Sequence, residues 1–294
     1  MRAFVTGATG FIGAALTRDL IAAGHQVIGL CRSEDKAASL AAAGAEVYPG
    51  SLENLDGLRD GVARSDGIIH LAFNHDFSTF QQNCEDDRGV VVALGAMLKG
   101  SSRPLLITSG TGMASTAPGR PATEDGEVIS SAIIPRAASE EAANALALEG
   151  VNVSIVRLPQ VHDTEKQGLV TYAIQVSREK GACVYIGDGQ NRWPAAHVLD
   201  VARLYRLAFE KAERGARYHA VAEEGVSMRD IMEVLGRRLK LPVKSITPEE
   251  AQDWYGWLAM FALRDLPASS EQTRKQLGWQ PKERGLLADL AELQ

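Results

Sequence analysis

The sequence predicts an α/β protein, a doubly wound parallel sheet carrying a smaller, mostly helical lobe. Three observations point there. Short apolar runs alternate with helical patterns through the first half of the chain. Those runs are apolar throughout rather than alternating, as strands covered on both faces should be. A glycine-rich segment stands at the first junction of run and helix.

In chain order, a run at 2–6 leads to a helix at 11–23, a run at 27–31 to a helix at 34–43, and a run at 45–48 to a helix at 52–61. A run at 67–72 precedes a long helix at 78–99, a run at 104–108 precedes a helix at 137–148, and a run at 151–158 closes the series. Beyond it the regular winding ends. Short runs at 183–186, 217–221 and 243–246 sit in a helix-rich region that holds all four tryptophans. Residues 1–158 are therefore expected to form a dinucleotide-binding domain and 159–294 a substrate lobe, interleaved with the sheet rather than joined by a linker. Trp254, Trp257, Met260 and Phe261 show helical spacing and read as lobe packing.

Composition narrows the function. With 294 residues the chain has room for about two domains. A net charge of −6 lacks the basic footprint of a nucleic-acid binder. The longest apolar stretch, 90–98, is too short for the ~20 residues of a membrane span. Cys31, Cys84 and Cys183 are far apart, with no CxxC pair, so neither a zinc ribbon nor a redox couple is expected. An odd count fits a reducing, cytoplasmic setting. No His-x-x-x-His spacing occurs, and no metal is expected. The partner expected is a small molecule, not a nucleic acid or a membrane.

The glycine segment is Thr6-Gly7-Ala8-Thr9-Gly10-Phe11-Ile12-Gly13. Gly7 permits a tight turn, Gly10 leaves its backbone open to a pyrophosphate, and Gly13 lets the helix pack closely on the sheet. Free amides at the helix start then face the anion. This is the signature of a Rossmann-type dinucleotide site. An NAD site usually places an acid after the second strand, to accept from the ribose 2′-hydroxyl. Here Arg32 and Ser33 follow that strand. A guanidinium pairs with a 2′-phosphate, so NADP(H) is expected ahead of NAD(H). Lys36 is either an assistant or a surface charge.

On these residues the chain resembles the extended short-chain dehydrogenase/reductase superfamily, in its NAD(P)-dependent epimerase/dehydratase-like, atypical branch. Gly50-Ser51-Leu52 stands where that family has Gly-Asp-Leu, and His70-Leu71-Ala72-Phe73 is similar to its His-Leu-Ala-Ala. Leu106-Ile107-Thr108-Ser109 resembles the strand end with the catalytic hydroxyl. Arg157-Leu158-Pro159-Gln160-Val161-His162 resembles the segment beside the nicotinamide. The resemblance adds Ser51, Leu52, Leu71, Ala72, Phe73, Thr108, Pro159 and Val161 to the cofactor residues. Family members use a Tyr with a Lys four residues later; the corresponding positions here are Arg136 and Glu140, and no Tyr-x-x-x-Lys occurs in the chain. A permanent cation is no ordinary proton shuttle. Glu140 would bring negative charge to the cofactor unless it turns away or pairs with Arg136.

Candidates for the chemistry are then Ser109, Thr111 and His162, the last oriented by Asp163. Candidates for substrate contact are Arg192, His197 and Tyr172. His75 and Asp76 are read as a polar loop. Two readings stay open: an NADP-dependent oxidoreductase or epimerase on a small carbonyl, hydroxyl or sugar-type substrate with a non-standard proton donor, or a catalytically silent NADP(H) sensor or scaffold. By analogy, a homodimer would form through the helices at 78–99 and 137–148.

Overall fold

The computed structural model describes residues 1–294. Its first half runs β1 (Arg2–Thr6), α1 (Phe11–Ala22), β2 (Gln26–Cys31), α2 (Glu34–Ala42), β3 (Glu46–Pro49), α3 (Arg59–Ala63), β4 (Gly67–His70), α4 (Phe80–Leu98), β5 (Leu105–Gly110), α5 (Ala138–Leu148) and β6 (Val153–Leu158). The second half runs β7 (Gln160–His162), α6 (Val170–Lys180), β8 (Cys183–Ile186), β9 (Arg192–His197), α7 (Val198–Lys211), β10 (Arg217–His219), β11 (Glu223–Ser227), α8 (Met228–Leu239), β12 (Val243–Ile246), α9 (Ala251–Tyr255), α10 (Ala259–Ala262), α11 (Glu271–Leu277) and α12 (Leu286–Ala291).

Seven strands form one parallel sheet in the order β3-β2-β1-β4-β5-β6-β10. Strand order reverses between β1 and β4, and in such sheets the crevice beyond the carboxyl ends at that reversal receives ligands. The apolar character of the runs follows from two covered faces. Along β1, Val5 joins Leu16 and Leu20 of α1 and Tyr205 and Phe209 of α7, while its neighbour Phe4 joins Val91 and Leu94 of α4 on the opposite face. A third core, around Trp193, Met232, Leu235 and Leu290, belongs to the lobe.

The structure departs from the sequence reading in two places. The helix expected at 52–61 is a turn, a short 3-10 segment at Asp56–Leu58, and then α3. Ser51 Oγ accepts from the Glu53 amide and Asn54 Oδ1 from the Gly57 amide, local bonds that compete with helix formation. The seventh sheet strand and α7 come from beyond residue 158, so the second half of the chain returns to the sheet. The lobe also holds strands that the hydrophobic pattern did not show, β7, β9 and β11, which form a small mixed sheet in the order β11-β9-β7; the runs read at 183–186 and 243–246 are β8 and β12, paired with each other.

Candidate functional site

A cleft of about 1680 Å³ runs from the β1–α1 turn, past the ends of β4 and β5, to the lobe. Gly7 holds φ +69°, and a Cβ there would lie 2.8 Å from the Ala72 amide nitrogen. A Cβ on Gly13 would lie 2.0 Å from the Gly7 carbonyl oxygen. The turn is thus closed by backbone packed on backbone. At Gly10 a Cβ would approach only the Gly7 carbonyl, at 3.2 Å, and otherwise project into the cleft. Gly10 offers no side-chain cap to α1, so the helix's leading amides are left to an outside acceptor.

Most of the expected residues converge on this cleft. Gly7, Thr9, Gly10, Phe11, Ile12 and Gly13 line one end with Arg32, Ser51 and Leu52; Leu71, Ala72, Phe73, Thr108, Pro159 and Val161 line its middle, with Ser109, Thr111 and Tyr172 beside them. Arg32 is exposed, without a carboxylate partner. The Thr108 hydroxyl donates to the His70 carbonyl (2.7 Å) and so accepts from Tyr205 (2.7 Å), which leaves it no free proton. Ser109 is among the residues lining the cleft, and its hydroxyl is buried with no partner in the protein.

Four expected residues lie off the cleft wall. Ser33 stands at the start of α2, its carbonyl accepting from the Cys31 thiol. His162 is fully buried in β7, with Nδ1 on Asp289 Oδ2 at 2.7 Å and Nε2 unpaired. Burial lowers its pKa, against the opposing pull of Asp289. Asp163 does not orient it, because successive residues of an extended chain point to opposite sides; Asp163 accepts from the Glu165 and Lys166 amides instead. Arg192 is clamped on Asp265, Nε to Oδ1 at 3.0 Å and Nη2 to Oδ2 at 2.7 Å. His197 caps α7, its Nδ1 accepting from the Leu199 amide. Nor do the residues read as lobe packing all pack inward: Met260 and Phe261 reach the cleft, and Trp257 stacks on Phe77.

A buried polar chain that sequence spacing did not reveal lies behind the wall. The Thr6 hydroxyl accepts from the Leu71 and Ala72 amides and therefore donates to His70 Nδ1 (2.7 Å). That bookkeeping puts the His70 proton on Nε2, which donates to Asp87 Oδ1 at 3.0 Å. The second oxygen of Asp87 accepts from the Ser139 hydroxyl and from Arg136 Nη1 (3.1 Å). Burial alone would raise the Asp87 carboxyl; the His70 hydrogen bond and the Arg136 charge outweigh it and hold the pKa at about 2. Arg136 also donates from Nη2 to the Thr108 carbonyl (2.8 Å) and lies 4.4 Å from the centre of the Phe73 ring. The guanidinium is thereby fixed at the middle of the cleft, next to the ends of β4 and β5.

Residues 3–222 match the model of the NAD dependent epimerase/dehydratase family. The chain belongs to that family. It is 47% identical over 292 residues to an uncharacterized protein of Schizosaccharomyces pombe, covering 99% of this chain and 98% of that one. Among solved structures it is similar in fold to a nucleoside-diphosphate-sugar epimerase from Pseudomonas aeruginosa (TM-score 0.80, 20% identity, 99% of this chain and 95% of the other). It is likewise similar to a dTDP-glucose 4,6-dehydratase from Streptomyces venezuelae with NAD and TYD bound (TM-score 0.78, 20% identity, with the same coverages).

Of the two residues read against the Tyr–Lys pair, Arg136 lines the cleft. Glu140, one helical turn on, neither approaches the cleft nor pairs with Arg136. It is fully buried and receives both Nε (2.9 Å) and Nη2 (2.8 Å) of Arg157 from β6. Lys166, from the β7–α6 loop, lines the cleft with its ammonium 6.0 Å from the centre of the Phe11 ring. It puts a cation beside the β1–α1 turn from a different part of the chain.

Proposed function

We propose that the protein is an NADP(H)-dependent oxidoreductase acting on a small carbonyl or hydroxyl compound, with hydroxyl and guanidinium groups in place of the Tyr–Lys pair. The observation that carries this reading is Ser109, whose hydroxyl is buried without a partner and which lines the same cleft that begins at the uncapped start of α1. The residues fit a dinucleotide. The leading amides of α1 suit its diphosphate, Arg32 its 2′-phosphate, and the space at Gly10 its close approach. The bound coenzyme would supply hydride transfer at its nicotinamide ring.

The chain's own residues supply position and polarity. The Ser109 and Thr111 hydroxyls donate to the substrate oxygen, and the Arg136 charge favours the negative charge that develops there. Reduction adds one hydride to the carbonyl carbon and moves the π pair to oxygen. The oxygen then takes one proton, passed through the Ser109 or Thr111 hydroxyl from water. Arg136 stabilises and does not shuttle, since its guanidinium stays protonated. The reading includes a cytoplasmic setting, consistent with three free, buried cysteines, and a homodimer across α4 and α5, which light scattering on a sizing column tests. No helix is long and apolar enough to cross a membrane.

The decisive experiment follows NADPH oxidation against a panel of aldehydes, ketones and nucleotide sugars. Turnover that Ser109→Ala reduces about 100-fold or more supports the reading, the scale seen when one donor to a developing oxyanion is removed. Tight coenzyme binding without turnover of any compound would establish the sensor reading instead.

A further inference from the structure

We infer that the lobe side of the cleft takes an uncharged, ring-bearing carbonyl compound or its alcohol, rather than a sugar nucleotide. This rests on the oxidoreductase reading above and adds the substrate class. Beyond Ser109 and Arg136 the wall includes Phe73, Phe77, Tyr172, Met260 and Phe261, set among polar residues such as His75 and Arg264. These rings are braced from behind. Trp257 stacks on Phe77 at 3.8 Å and 11°, and meets Tyr172 edge-on at 5.0 Å and 79°. Phe77 and Tyr172 are themselves edge-to-face, at 5.6 Å and 86°. An aryl group entering here adds one more member to an existing set of stacked and edge-on rings, the geometry such pairs prefer. At the rim Met260 is 52% exposed and Ile133 74%, apolar surface that a nonpolar ligand would cover.

The cations leave a second diphosphate a single free guanidinium on the lobe wall, Arg264. A sugar nucleotide brings a second diphosphate, whose natural partner is a free, forked guanidinium. Arg192, the residue at the expected position, spends its fork on Asp265 and a further N–H on the Gly119 carbonyl. Arg136 is committed to Asp87 and the Thr108 carbonyl. Lys166 stands over Phe11, at the coenzyme end. On the lobe wall Arg264 alone has no carboxylate partner.

The test is calorimetry on the full chain, first with NADP⁺ and then, once it is loaded, with 1-phenylethanol, 2-propanol and UDP-glucose. We expect 1-phenylethanol to bind about tenfold or more tightly than 2-propanol, the return on burying a phenyl ring. UDP-glucose should give no heat, and Phe261→Ala should shrink the ring preference about tenfold. Equal affinity for the two alcohols overturns the inference. So does UDP-glucose binding that Arg264→Ala abolishes. Either result leaves the oxidoreductase reading standing if NADP⁺ has bound, whereas no heat with NADP⁺ overturns that reading and the substrate class with it.

Discussion

Glu140 does its work away from the cleft: its side chain, on α5, neutralises the fully buried guanidinium of Arg157. Removing one partner of such a pair leaves the other charge buried and unanswered. Glu140→Gln should therefore cost about 3–5 kcal/mol in urea unfolding. Glu140→Lys should cost at least as much, because two cations would then face each other. A double change of Arg136→Tyr with Glu140→Lys, which writes a Tyr-x-x-x-Lys pair into 136–140, should fail to yield a stable protein. A double variant as stable as the parent would show that Arg157 has another way to be satisfied. Arg32 offers a separate check on the coenzyme: Arg32→Ala should weaken NADP(H) about tenfold or more while changing NAD(H) little, since only the former loses a charge-assisted pair. Equal losses would remove the role given to Arg32.

At the level of elements, the β1–α1 turn separates two uses of glycine. A methyl on Gly13 collides with the Gly7 backbone, which cannot swing away as a side-chain tip can. Gly13→Ala should lower the melting temperature by many degrees or prevent folding. Gly10→Ala meets little protein, so the chain should unfold within a few degrees of the parent while its affinity for dinucleotide falls. Thermal melts with and without NADP⁺ read both effects. This turn was legible from sequence because all its parts are local: three glycines at fixed spacing between a run and a helix. The buried strands were legible for the same reason, since their apolar character is written residue by residue. Arg192, His162 and His197 were misplaced because their roles depend on Asp265, Asp289 and the first turn of α7, partners that no spacing rule joins to them. The strand β7 around His162 also escaped notice, being three residues long and paired only with β9.

The whole molecule carries its charge balance in one place where the lobe meets the sheet. His219, on the edge strand β10, donates from Nδ1 to the Ser269 carbonyl (2.8 Å) and accepts from Arg157 at Nε2 (3.3 Å), so it is neutral. Burial and the Arg157 charge push its pKa down to about 3. As pH falls the unfolded chain, whose histidines titrate near 6.5, takes up this proton first. Stability from His219 is thus complete above about pH 6.5 and drains away as pH falls toward 3, by up to about 1.4 kcal/mol per pH unit. Asp87 has the opposite origin but the same direction. Its carboxyl is depressed to about 2, so its contribution is lost only as pH falls from about 3.8 toward that value. Urea unfolding across pH 7 to 4 should show the first loss, and His219→Gln should flatten it by about one proton. An unchanged slope would mean that other groups set the acid limit.

The stack of Trp257 on Phe77 has a practical consequence. The indole belongs to the 3-10 turn before α10 and the phenyl to the one before α4, so the stack ties the lobe to a cleft-lining ring of the sheet domain. Anything that wedges in between must slide one aromatic plane off the other and alter the light the tryptophan emits. Trp193 and Trp279 are sealed inside the protein and Trp254 lies under Lys180, so these three indoles sit apart from the stack. The molecule thus carries a lamp fixed to one ring of the cleft wall, one that needs no label and answers whatever disturbs that ring.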